Sequence, residues 1–255
     1  MMCRTISKLS MMTFAIATLL SFDVTAGGDA KAILEKIDKA SYADSTRMKL
    51  SQKVITPSGD TRTFKILSYT MNGNEKSLTH YVGPEQVRGI KILGLRDGND
   101  IWSYFPRTNR TRKLASSAKK RKVQGSDFIY DDMAQGKMVK QWKGKLLGEE
   151  KLGENTCFKL ELYPTDEGPQ SYKRIIVWVD KVQHTPYRID YYDEDNYLLK
   201  RLTIKAYKNI SGVLIPFSYV MENLTDGGKT LMKVADAEVN VTLDPMMFTE
   251  AGLSR

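Results

Sequence analysis

Arg174-Ile175-Ile176-Val177-Trp178-Val179-Asp180 is a run of five apolar residues held between an arginine and an aspartate. Its β-branched and aromatic content and its bounded length read as a strand. In an extended chain Ile175, Val177 and Val179 point one way, while Ile176 and Trp178 point the other. A second run repeats the pattern. Leu198, Leu202, Ile204 and Ala206 share a face with Lys200, and Leu199 and Tyr207 sit opposite. An antiparallel sheet that meets water on one side is polar there. These strands are apolar on both sides, so the sheet has something inside it and something outside it. Two architectures answer that demand. One is a closed or nearly closed sheet around a ligand cavity; the other is a sandwich core with some exposed aromatics.

Outward from this run, alternation and turn residues mark further strands. Before the middle of the chain they are Met48 to Val54, Thr61 to Met71, Ser77 to Val82, Gln86 to Leu93 and Asp100 to Phe105. The breaks are Pro57-Ser58-Gly59-Asp60, Asn72-Gly73-Asn74, Gly83-Pro84 and Asp97-Gly98-Asn99, each with turn chemistry. After the middle the runs are 139–150, 155–163, 172–180, 186–193, 197–208, 215–223 and 229–241. Spacings of roughly ten residues indicate antiparallel strands joined by hairpins. About twelve strands are expected. Asp29 is placed to cap one early helix over Ala30 to Ser41, with Ile33, Leu34 and Ile37 on one face.

The strand pattern fails between Pro106 and Lys137. Residues 106–124 carry Arg107, Arg110, Arg112, Lys113, Lys119, Lys120, Arg121 and Lys122 and no acidic residue. Charges this dense repel, which predicts a solvated, mobile insertion. It follows Trp102-Ser103-Tyr104-Phe105 directly and leads into Gly125-Ser126-Asp127-Phe128-Ile129-Tyr130-Asp131-Asp132-Met133. Asp127 is placed to cap a short helical turn, and Phe128 and Met133 give it an apolar side. The turn is expected to lie over the mouth of the sheet as a lid. A long insertion that interrupts a regular sheet is more often functional than connective.

The first 26 residues read as an export signal. Arg4 and Lys8 form a positive start, Met11 to Phe22 a mostly apolar run, and Val24-Thr25-Ala26 a small-residue cleavage site. That run falls short of the ~20 residues a membrane helix needs. The mature chain is therefore expected to start near Gly27, to act in the periplasm, and to form one domain over 27–255. The whole chain has 255 residues, a formal charge of +9 and two cysteines. Cleavage removes Cys3 and leaves Cys157 alone, so no internal disulfide is expected; Cys157 reads as a buried, inert thiol. The positive balance calls for an anionic partner. After export, membrane head groups, acidic lipids or an acidic protein surface replace nucleic acid.

Chemistry-bearing motifs are sparse. His80 and His184 are the only histidines. Paired-cysteine metal spacing, H-E-x-x-H, G-x-S-x-G and phosphate-cradling glycines are absent from the sequence. Asp193-Glu194-Asp195-Asn196 has calcium-loop composition without the required glycine and distant glutamate, so it reads as a hairpin turn. No cofactor, metal or catalytic residue is assigned, and the chain is not read as an enzyme.

The amphipathic first helix, the successive hairpins, Ile101-Trp102-Ser103-Tyr104-Phe105-Pro106, the basic segment and Gly125-Ser126-Asp127-Phe128-Ile129-Tyr130-Asp131-Asp132 together resemble the outer-membrane lipoprotein-sorting protein family. These proteins are relatives of the periplasmic carrier LolA and its outer-membrane receptor LolB. The resemblance implies a mainly β fold: an incomplete antiparallel β-barrel of about eleven to twelve strands, an N-terminal helix, a short helical lid and an apolar cavity. It further implies a carrier that binds acyl chains of lipoproteins or lipids and moves them between envelope membranes. An inner-membrane transporter, an outer-membrane receptor and transient membrane contact are its implied partners. On that reading Trp102, Tyr104, Phe105, Phe128, Tyr130, Met133 and Trp178 line the cavity or lid, and Gly125, Ser126 and Asp127 form the lid motif. The eight basic residues from Arg107 to Lys122 meet head groups or a partner. The alternative is a ligand-free accessory module with a filled interior that docks an efflux-type transporter.

Overall fold

The computed structural model describes residues 26–134 and 136–255. The predicted signal segment falls outside them, apart from Ala26. The chain opens with helix α1 (Ala26–Ala40) and then runs through β1 (Ser45–Ile55), β2 (Thr61–Met71), β3 (Lys76–Gly83), β4 (Lys91–Leu95), β5 (Asp100–Phe105) and β6 (Arg110–Lys113). Three short helices follow, α2 (Ser116–Lys119), α3 (Tyr130–Met133) and α4 (Met138–Gln141). The second half comprises β7 (Trp142–Leu152), β8 (Asn155–Pro164), β9 (Arg174–Asp180), β10 (Pro186–Tyr192), β11 (Leu198–Ile210), β12 (Val213–Asn223) and β13 (Lys229–Val239).

All thirteen strands belong to one antiparallel sheet, in the order β6-β5-β4-β3-β2-β1-β13-β12-β11-β10-β9-β8-β7. The chain enters the sheet at its centre, winds out to β6, crosses to the far edge at β7, and winds back until β13 pairs with β1. The two edges, β6 and β7, are consecutive in sequence and are not hydrogen-bonded to each other. The fold is therefore mainly β, a barrel left open at one seam. The chain between the edges, residues 114–141, connects the two sides of that seam.

The inner face holds one continuous core. Ile33, Leu34 and Ile37 of α1 join Leu50, Ile66, Tyr81, Ile101, Leu160, Ile175, Val177, Val179, Met221 and Val234 there. The outer face is covered in places, which explains the doubly apolar strands. Phe248 and Leu253, from the 3-10 turns Pro245–Phe248 and Ala251–Ser254, pack on Leu78, Leu93 and Tyr104. Ile176, Trp178 and Cys157 form a separate outer cluster. Arg188 lies over the Trp178 ring at 4.2 Å, and Lys159 lies 5.1 Å from the same ring.

Several expectations shift. Thirteen strands replace about twelve, because the basic segment contributes β6. Its Arg-Thr-Arg-Lys sequence has no hydrophobic alternation, since an edge strand needs only one partner and uses charge to block another. The segment is also less free than its charge suggests. Lys113 pairs with Asp100, Lys119 donates to the Asn99 carbonyl, and Lys122 pairs with Asp127 and Asp226. The run expected from Val139 begins at Trp142, because Asp38 accepts the Met138 and Val139 amides at 2.8 and 3.0 Å and holds them in α4. Gln86 to Leu93 divides into a 3-10 turn, Glu85–Val87, and β4. Asp29 lies in the first turn of α1 and does not cap it, since the helix starts at Ala26. Among the described residues no helix is long and apolar enough to cross a membrane.

Candidate functional site

The crossing segment fills the inner side of the open sheet. Val123 accepts the Ser126 amide and donates its own amide to the Phe128 carbonyl, while Lys122 and Ile129 form an isolated bridge. The result is a small hairpin with Gln124-Gly125 at its turn, both in the left-handed region (φ 50° and 73°); glycine suits that conformation. Val123 and Phe128 are buried in the main core, and Ile129, Tyr130 and Met133 pack against it. Phe128 meets Tyr219 edge-on, with ring centres 6.2 Å apart. Such a side chain contributes about 1.5–3 kcal/mol by burial and ~0.5–1.5 kcal/mol more from the ring pair.

Polar ties fasten this segment to the sheet. Asp127 donates its amide to Thr230 Oγ1 (2.9 Å) and accepts the Thr230 hydroxyl at 2.7 Å. Thr230 is fully buried on β13. Asp132 accepts the Ile129 amide and the Tyr172 hydroxyl, each at 2.7 Å, and the Lys200 ammonium at 2.5 Å. Ser171 donates to Asp131. Burial raises the Asp131 carboxyl above the ordinary range, against the opposing hydrogen bond from Ser171. Lys200 is only 5 % exposed. Its ammonium stands 5.0 and 5.2 Å from the Tyr172 and Tyr191 ring centres and also reaches the Asp127 carbonyl. Burial, then the nearby Asp132 charge, push both phenols well above their usual value.

A second set of ties closes the segment's far end. Lys140 pairs with Asp97 at 2.6 Å, and Gln141 Nε2 donates to the Asp97 carbonyl at 2.6 Å. A Cβ on Gly98 would lie 2.1 Å from the Ala134 carbonyl oxygen, so that turn presses directly on the end of the segment.

The predicted site residues separate by strand parity. Phe105, Phe128, Tyr130 and Met133 belong to the inner core. Trp102 and Tyr104 lie on the outer face, beneath the C-terminal 3-10 turns, and Trp178 lies in the other outer cluster. Each alternates with an inward residue: Ile101 and Phe105 beside Trp102 and Tyr104, and Val177 and Val179 beside Trp178. Among the lid-motif residues, Ser126 and Asp127 are buried and Gly125 is exposed. Of the basic residues, Arg107, Arg110, Arg112, Lys120 and Arg121 are exposed, and no carboxylate among the described residues lies in ion-pair range of them. Lys113, Lys119 and Lys122 are engaged within the fold. Lys200 and its partners Tyr172 and Tyr191 were not singled out as site residues from sequence. The signal available was a lysine at the same parity as Leu202 and Ile204.

Where an oily hollow is expected, the inner face carries a buried core against which Leu199, Leu202, Phe217 and Tyr219 are only partly buried. The inner face is packed by α1, the crossing segment and the strands' own side chains. Two surface depressions differ in lining, the first mainly polar and the second mainly apolar. One, of about 540 Å³, is lined by Glu75, Arg96, Asp97, Asn99, Lys140 and Glu167. The other, of about 440 Å³, lies between the end of α1 and the β2–β3 turn, lined by Asp38, Tyr42, Gly73 and Lys137 among others. Cys157 is buried in the outer cluster, and burial, with Asp180 and Glu150 nearby, pushes its thiol up to about 11. His80 is pushed down by burial and by Lys91, and His184 sits in a turn at φ 55°. No group of three or more metal-binding side chains occurs among the described residues.

A family model described as "Uncharacterized protein" matches residues 73–255. No curated protein matches the sequence. Among solved structures, the fold is similar to that of a DUF1329 family protein from Desulfovibrio piger, with TM-score 0.84, 23 % identity, and coverage of 90 % of this chain and 100 % of that one. It is similar to a putative outer membrane lipoprotein-sorting protein domain from Vibrio parahaemolyticus, with TM-score 0.81, 23 % identity and coverage of 88 % and 98 %. It is also similar to a LolA superfamily protein from Nitrosomonas europaea, with TM-score 0.73, 24 % identity and coverage of 86 % and 97 %.

Proposed function

The chain belongs to the family whose model covers residues 73–255, and from its LolA-like fold we propose a periplasmic carrier of acyl-bearing cargo, lipoprotein or lipid, in its closed state. On this reading residues 1–26 are a cleaved leader and 27–255 a single carrier domain. The observation that supports it is the kind of material filling the sheet. Phe128, Ile129, Tyr130 and Met133 come from a short insertion joined across an unpaired seam, not from the strands themselves. An insertion of this kind can move out as a unit and leave an apolar hollow lined by Leu50, Ile66, Val177, Met221 and Tyr219. Transfer of an acyl chain through water exposes CH₂ groups at ~0.8 kcal/mol each, so a ~16-carbon tail meets a barrier on the order of 10 kcal/mol. Shelter in such a hollow lowers that barrier, and return of the lid helps eject the tail at its destination. No bond is made or broken, so the role needs no catalytic residue. Arg107, Arg110, Arg112, Lys120 and Arg121 face solvent as a contact for anionic head groups or an envelope transporter.

Native mass spectrometry of protein extracted from the envelope, with titration of a fluorescent fatty acid, tests the reading. Bound acyl mass and saturable uptake are expected. A protein that is always empty and ignores the probe overturns it. The buried core on the inner face favours a second reading, an accessory module that docks a transporter without carrying anything. Charge reversal at Lys120 and Arg121 that abolishes partner capture, in a protein that never takes up lipid, selects this second reading.

A further inference from the structure

The lid carries a charge into the interior as well as hydrocarbon. Asp132 leaves the site whenever α3 moves, because it belongs to α3; Lys200, Tyr172 and Tyr191 stay, because they belong to the body of the sheet or the chain leading into it. After that departure the Lys200 ammonium keeps the Tyr172 and Tyr191 rings beside it but has no carboxylate, and Tyr172 has lost the acceptor for its hydroxyl. A buried charge without a partner is strongly disfavoured. The two aromatic faces soften that penalty without removing it. The donors already converge on one point: Lys200 Nζ reaches Asp132 Oδ2 at 2.5 Å and Tyr172 OH reaches Asp132 Oδ1 at 2.7 Å. A carboxylate occupies that point now, so an anionic oxygen fits it.

We infer that Lys200 and Tyr172 form the head-group end of the binding site, and that the cargo is an anionic amphiphile whose acyl tail replaces Phe128 and Met133 and whose carboxylate or phosphate replaces Asp132. The lid is then an internal copy of the ligand, apolar along one side and acidic at one end. The inference rests on the carrier reading above and narrows it, since an uncharged acylated end would leave Lys200 unanswered. Charge recognition at a desolvated ammonium also gives the closed state a competitor: ligand and Asp132 contend for one cation.

The test uses the mature protein and four pyrene-labelled probes: hexadecanoic acid, its methyl ester, lysophosphatidate and monoacylglycerol. Wild-type protein is expected to bind the two anionic probes about 10-fold or more tighter than their uncharged counterparts, the scale of one charged hydrogen bond. Whichever anion binds tighter identifies carboxylate or phosphate as the natural head. The double variant Lys200→Met/Asp132→Leu replaces the buried pair with apolar groups, an exchange that folds tolerate. It should keep ester binding and lose the preference for charge. Asp132→Asn, which removes the competitor but keeps its shape, should widen the preference. Equal binding of charged and uncharged probes, or a preference that survives in the double variant, overturns the inference and leaves the carrier reading standing. Failure of all four probes to bind overturns both.

Discussion

Replacing Asp127 by alanine should loosen the lid and leave the sheet alone. In the structure the Asp127 carboxylate accepts one hydrogen bond from the buried Thr230 hydroxyl and makes a 3.3 Å pair with Lys122. Loss of a hydrogen bond to a charged acceptor costs about 1.5–3 kcal/mol. The lysine pair adds little, because Lys122 is substantially exposed and keeps Asp226 at 2.8 Å. The Asp127 amide still reaches Thr230 Oγ1. Opening of the lid should therefore become easier by about 10- to 100-fold, since ~1.4 kcal/mol is tenfold. Hydrogen–deuterium exchange reads this directly. The reporter is the Asp127 amide, whose acceptor, Thr230 Oγ1, lies on β13 outside the crossing segment. Its protection should fall by that factor, while backbone-paired amides of β9, β12 and β13 keep theirs, as expected of a locally cooperative unit. If protection drops equally throughout the sheet, or not at all at Asp127, the segment does not open separately from the sheet.

The outer face makes a contrasting prediction. Phe248→Ala deletes a nearly fully buried ring that covers Leu78 and Leu93 and should cost about 3–5 kcal/mol in global stability, seen as a lower melting temperature, with acyl-probe binding unchanged below it. Asp190 is buried between Arg188 and Arg201; burial alone would raise its carboxyl, but the two guanidiniums outweigh that and hold it below the ordinary value. A depressed acid adds stability above its unfolded value of ~3.9 and loses it as pH falls through the folded value. Asp190→Asn should therefore destabilise the protein at neutral pH, and urea melts of the two proteins should converge only in strong acid. Arg110→Glu with Arg112→Glu and Arg121→Glu alters exposed groups outside any ion pair, so melting should change little while sedimentation with anionic vesicles declines in a salt-sensitive way. The Cys157 thiol, pushed up to about 11 and buried, should resist iodoacetamide until the protein unfolds.

Where turns carry their own chemistry, the strands were legible. Asn72-Gly73-Asn74 and Asp97-Gly98-Asn99 combine positive φ with residues that tolerate it, and each closes a hairpin as expected. Strand β6 was hidden because an exposed edge needs no apolar alternation. Parity told which side chains travel together, but not which set faces inward. Size made Trp178 and Trp102 attractive, yet the smaller Val177, Val179 and Ile101 took the interior. The reason lies far off in the chain: the C-terminal 3-10 turns, which were given no role, cover Trp102 and Tyr104 from outside. The Asp132–Lys200 pair was illegible for a similar reason. Asp132 and Lys200 are 68 residues apart, and nothing local to either records the other.

The strand at the middle of the sheet, β13, is the last one made, and its neighbour on one side, β1, is the first. Arg47 meets Glu238 across 191 residues, in the pairing of β1 with β13. Until β13 is made, one flank of β1 is an unsatisfied backbone ladder, open to any other extended chain. Each half can zip up locally as a meander, but their union waits on a distant closure that is slow for entropic reasons. Nascent copies therefore pass through a sticky interval whose length is set by synthesis rather than by packing. Guarding Ser45–Ile55 during that interval is a task for a holding chaperone, and the mature molecule keeps no trace of the need.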